Sequence, residues 1–221
     1  MSNGLPMRRL LVASVAAIAT TLLAAPLALA ASDTTQFSVT AGTLSFSTAP
    51  DVPNLPGLTL NGQAQTLNTT MNNFSVADAS GTGNGWNVTV NGDSSAGKSA
   101  VFKQYCPNAT CGTDSGPGYI AGGATLAANS LTLNSTGASF SALNGTTGTA
   151  PTHQCNSGCF VDAASAVKTV SAAAGAGMGT YQTTGYSATS VGLSAPTTIK
   201  VLPQAGEVYH LDLVWTLNSG P

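Results

Sequence analysis

The chain has 221 residues, 43 % of them hydrophobic and only 6 % charged, with a formal net charge of −2. Charge this sparse and slightly negative excludes a nucleic-acid surface built from basic side chains, and the apolar share excludes a disordered chain. Apolar residues set among many glycines, serines, threonines and asparagines suit short strands joined by turns.

In chain order, Met1 to Ala30 reads as a secretory signal. Arg8 and Arg9 give a charged start, Leu10 to Ala25 runs without charge, and Pro26 breaks the run before the small-x-small site Ala28-Leu29-Ala30. The apolar run is shorter than the roughly 20 residues that a membrane span needs, and no stop-transfer charges follow. The expectation is a cleaved signal at 1–30, no transmembrane anchor after cleavage, and one exported domain over 31–221. Loss of Arg8 and Arg9 takes the formal net charge from −2 to −4.

Strand patterning is expected from Phe37. Phe37 and Val39 alternate with Ser38 and Thr40, and beyond Gly42 come Leu44 and Phe46. Pro50, Pro53 and Pro56 make the next stretch irregular, because proline cannot donate to a ladder. Leu58, Leu60 and Leu67 suggest a short hairpin around Asn61-Gly62. Phe74 and Val76 start the next strand, and Asp78 with Gly81, Gly83 and Gly85 forms a turn. Trp86-Asn87-Val88-Thr89-Val90 then alternates, with Trp86, Val88 and Val90 on one face.

From about 91 to 164 the pattern loosens to fragments at Val101-Phe102, Leu131-x-Leu133 and Phe140. This stretch carries Cys106 and Cys111, then Cys155 and Cys159. An even cysteine count in an exported chain reads as disulfides, and neighbour pairing is the simplest of three connectivities. His153 invites a zinc reading, but the x4 and x3 spacings and an oxidising compartment argue against it. Asp93, Asp114 and Asp162 sit in or near glycine-rich loops without forming a calcium-loop run. Order returns at Val167 and culminates in Tyr209, Leu211, Leu213, Trp215 and Leu217, which alternate with His210, Asp212, Val214 and Thr216.

The expected fold is all-β: a two-sheet antiparallel sandwich of Ig-like or jelly-roll type, carrying a long disulfide-stapled loop excursion. Trp86 and Trp215 are the chain's two tryptophans and are expected on neighbouring strands of one apolar layer, in or near side-chain contact. No nucleophile elbow, zinc-protease helix, dinucleotide fingerprint or strand-end carboxylate pair is present, so no catalytic residue, metal or cofactor is assigned and an enzyme is not expected.

Phe74-Ser-Val-x-Asp78, then GTGNGWNVTV, Leu131-Thr-Leu133, Gly177-Met-Gly179, Leu202-Pro203-x-Ala205-Gly206 and the terminal LVWTLNSGP resemble, in that order, the WxL-domain proteins of Gram-positive bacteria. Trp215-Thr216-Leu217 fits the second motif as written, whereas Trp86-Asn87-Val88 has valine for leucine. The cysteine-bearing middle departs from the family pattern. The resemblance implies noncovalent attachment to peptidoglycan or an associated wall polymer, possible partnership with other surface proteins, and a location outside the membrane. The candidate binding residues are Trp86, Val88, Trp215 and Leu217, with Asp78, Asn84 and Tyr209 beside them. Alternation alone favours core for both tryptophans, and an Asx-type turn is the favoured account of Asp78 over a sugar contact. The alternative function is a pilin-like or layer-forming subunit whose apolar last strand pairs in cis or is donated in trans.

Overall fold

The computed structural model describes residues 34–221; the expected signal and its cleavage site lie outside these residues. Residues 40–221 form one compact unit, while residues 34–39, which belong to a separate N-terminal unit, carry no strand. The first strand is β1 (Leu44–Thr48), not Phe37-Ser38-Val39, and Phe37 and Val39 are 89 % and 81 % exposed. There follow β2 (Gln65–Thr69), β3 (Ser75–Asp78), β4 (Trp86–Gly92), β5 (Lys103–Cys106), β6 (Thr110–Cys111), β7 (Asp114–Ser115) and β8 (Gly118–Tyr119). Next come β9 (Leu131–Leu133), β10 (Ser139–Leu143), β11 (Thr152–His153), β12 (Cys159–Phe160) and β13 (Val167–Ala172). The chain closes with β14 (Gly179–Thr184), β15 (Val191–Ala195), β16 (Val208–His210) and β17 (Leu213–Ser219). The described residues contain no helix, so the fold is all-β.

Three four-stranded antiparallel sheets have the orders β1-β3-β14-β10, β11-β13-β4-β17 and β12-β9-β15-β2, with smaller sheets β16-β5-β8 and β6-β7 beside them. Alternation explains which faces turn inward. Along β4 the buried positions are Trp86, Val88 and Val90, and along β15 they are Val191, Leu193 and Ala195. These pack with Phe74, Val76, Leu131, Leu133 and Val170 in one continuous core. Each large side chain fully buried there contributes roughly 1.5–3 kcal/mol.

The middle of the chain is part of this framework. β9 lies between β12 and β15, and β5 pairs with β16, so residues 91–164 supply strands to sheets that also hold the C-terminal part. The disulfides join sequence neighbours, Cys106 to Cys111 and Cys155 to Cys159. Around Asn61-Gly62 the expected turn forms, with Gly62 at φ 79° and Gln63 N–H donating to Asn61 Oδ1 at 3.0 Å. Only β2 follows it as a strand, because the proline-rich 50–60 stretch ahead supplies no ladder partner.

Candidate functional site

The first motif is sealed. Trp86 and Val88 are 0 % exposed, and the indole N–H donates to Gly177 O at 3.0 Å. Gly177 has φ 72°, and a Cβ there would stand 2.6 Å from the indole nitrogen. Gly85, at φ 75°, lets the preceding turn close against Ala172, whose carbonyl oxygen would be 2.3 Å from an added Cβ. The glycines flanking this tryptophan in space are therefore a fitted slot around the ring. The turn ahead is equally self-contained: Asp78 is buried, and its Oδ1 accepts from Ser80 N–H at 3.0 Å and Ser80 O–H at 2.6 Å. Asn84 is exposed, one turn away on the surface.

The second motif is open. β17 pairs with β4 in continuous register, Trp215 opposite Val90 and Leu217 opposite Val88. The tryptophans do lie on neighbouring strands, yet Trp86 stands opposite Ser219, four residues along from Trp215. At the usual rise that offset is about 13 Å, so the expected ring contact is replaced by one with Phe74. Phe74 and Trp215 have centroids 6.2 Å apart at 46°. Trp215 and Leu217 are half-buried.

Trp215 lines a groove of about 1120 Å³, whose walls include Leu67, Tyr105, Tyr209, Leu213 and the proline-rich stretch from Pro50 to Leu58. Tyr209, Leu211, Leu213 and Trp215 all line it, and so do Val208 and His210, so alternation alone does not divide these positions. They do not form one strand, however. β16 ends at His210 and β17 begins at Leu213, and the junction changes sheets. Asp212 explains the break: its N–H donates to Ser99 O at 2.9 Å, and its carbonyl accepts from Asp93 N–H at 2.8 Å.

The Asp212 carboxylate fastens the groove's rim. It accepts from Lys98 Nζ at 2.8 Å, Tyr119 O–H at 2.5 Å and Ser99 N–H at 3.1 Å. Burial pushes its pKa up, but the hydrogen bonds from Lys98, Tyr119 and Ser99 outweigh that and hold it below the usual carboxylate value. Burial, then the bond to Asp212, raises the Tyr119 phenol and keeps it neutral. Tyr105 stacks on His210 at 4.6 Å and meets Tyr119 edge-on at 4.9 Å. Tyr209 donates its hydroxyl to Lys200 O at 2.9 Å, and burial raises its pKa. The result is an apolar trough with aromatic walls, lined also by the polar Asn54 and Gln204 and the charged Asp51, Lys200 and Glu207.

The remaining candidates do not converge on it. Asp93 holds Ser95 N–H at 2.9 Å, Asp114 sits in β7 opposite Cys111, and buried Asp162 holds Ser130 N–H at 2.8 Å. All four cysteines are oxidised, so His153 has no thiolate beside it with which to share zinc. His153 instead stacks on Phe140 at 4.4 Å. Tyr105 and His210 escaped the sequence reading as wall residues; their only signal was aromatic identity, since the β5–β16 pairing joins positions far apart in the chain.

The described residues thus form an all-β domain with one sealed and one more open tryptophan strand, the latter bordering a groove. A family model described as "WxL domain surface cell wall-binding" matches residues 29–221, and the chain belongs to this family. It is a wall-binding family and not a catalytic one. No curated protein and no solved structure matches the chain.

Proposed function

We propose that the protein is exported by cleavage after Ala30 and binds peptidoglycan noncovalently on the outside of the cell, acting by binding alone. The observation that carries the assignment of the site is the open half of the motif pair: Trp215 faces a groove of about 1120 Å³. Trp215 and Tyr209 form the binding wall, and Leu217 continues their face. Trp86, Val88 and Asp78 hold the strands behind it. Asn84 stands apart on the surface. The net negative charge would repel anionic wall polymers, which favours the neutral glycan over an electrostatic patch.

The test is co-sedimentation with washed Gram-positive sacculi, intact and stripped of secondary polymers. Binding to stripped sacculi that is lost in a folded Trp215→Ala variant supports a peptidoglycan site in the groove. Binding restricted to unstripped walls makes an accessory polymer the ligand, and binding to neither overturns the proposal.

A further inference from the structure

β17 is a sheet border of a kind that proteins normally protect. Its seven residues, LVWTLNS, contain no charge and no proline, and it pairs with β4 without a bulge. Among the described residues, no hydrogen bond reaches the main chain of Leu213–Ser219 from the side away from β4. β2, also the last strand of its sheet, contributes Leu67 to the same groove that Leu213 and Trp215 line. β1 of the facing sheet comes close to β17 without a hydrogen bond to it, so the border keeps unpaired main-chain groups beside an apolar trough, the two requirements for strand addition being groups for pairing and room for alternate side chains.

The chain also holds a segment of matching chemistry. Among the large hydrophobic residues described, Phe37 and Val39 are the two most exposed, at 89 % and 81 %. They alternate with Gln36, Ser38 and Thr40, and none of these residues lies in a strand. Neither Thr34–Thr40 nor β17 carries a formal charge, so no like-charge contact opposes their pairing. We infer that the segment around Phe37-Ser38-Val39 of a second copy adds to the free edge of β17, laying Phe37 and Val39 into the groove.

The contact is heterologous, donor segment on one copy and acceptor edge on the next, so it propagates as open chains. It does not depend on wall binding, although a groove filled by a neighbour's segment is closed to a wall polymer. Two sets of exposed positions separate donor from acceptor without touching the core. Phe37→Ser with Val39→Ser removes the donor, and Val214→Lys with Thr216→Lys puts charge on the outward face of the edge. The measurement is sedimentation velocity over a concentration series of the exported protein. The wild type should form concentration-dependent oligomers, and each double variant should weaken association by about tenfold or more. An equimolar mixture of the two variants, each holding the half that the other lacks, should recover a dimer and nothing larger. A wild type that stays monomeric overturns the inference, whether the edge is unused or filled by the chain's own segment. So does a Phe37→Ser/Val39→Ser variant that associates like the wild type.

Discussion

The sheet β11-β13-β4-β17 has a closed interior and an open border, and its two tryptophans divide between them. Trp86 is enclosed, with its N–H satisfied by Gly177 and its edges fitted by glycines at positive φ. Trp215, one strand over, has the same alternation but is only partly buried, because β17 has a strand on one side alone. Two short motifs of nearly the same sequence thus serve different ends, and position in the sheet decides which. An interior strand turns tryptophan into a structural ring, whereas a border strand beside a groove leaves the ring available to a ligand.

The largest effect that separates them is expected from Trp86→Ala. Emptying a fully buried ring site should destabilise the fold by about 3–5 kcal/mol in denaturant titration. A loss near the value of a surface substitution would mean that the slot around the ring is not packed in solution. Gly177→Ala should follow at about 2–4 kcal/mol, since it adds left-handed strain to a Cβ 2.6 Å from the indole nitrogen. Its destabilisation should shrink in part in a Trp86→Ala background, where the indole clash is gone but the one with Ala172 Cβ at 2.5 Å remains; full additivity would separate the two residues. Trp215→Ala should destabilise by less, about 2–3 kcal/mol, because part of the ring already faces water. Its wall binding, measured on the same folded sample, should fall about tenfold or more. Equal stability losses for Trp86→Ala and Trp215→Ala would erase the division proposed here.

Much of the closed interior is legible in the sequence, and little of the groove is. Trp86, Val88 and Val90 follow a period of two over a single unbroken strand, so local alternation suffices to place them in the core. The same rule puts Tyr209, Leu211, Leu213 and Trp215 on one face, and all four do line the groove. It cannot reveal that the strand breaks at Asp212, because the partners that break it, Lys98, Ser99 and Tyr119, lie about a hundred residues earlier. Phe37 and Val39 show the opposite limit. Their alternation is strand-like, yet neither lies in a strand, because alternation without a ladder partner makes none.

At the other border of the same sheet, β11 carries His153, which gives the mildest test of how closed the interior is. The ring is sandwiched by Phe140 and, edge-on at 5.5 Å, by Tyr186, and its Nε2 has no hydrogen-bond partner. Burial lowers its pKa below the ordinary 6.5, only partly countered by a backbone hydrogen bond with Ser139. The Tyr186 phenol, pushed up to about 12 by burial, stays neutral while the histidine titrates. The unfolded chain therefore takes up a proton on this histidine before the folded one does. Its contribution is fully present above pH 6.5 and is lost as pH falls from there toward the lowered folded value. Asp162 works in the opposite sense: burial raises its pKa, so the folded state gains relative stability as pH falls through that raised value. The informative quantity is then the difference in pH slope between wild type and His153→Phe, followed by denaturant midpoints from pH 7.5 to 5. We expect a slope in the wild type that His153→Phe removes. Identical slopes would mean that the imidazole is hydrated in the folded state, and that the β11 border is as open as the one at β17.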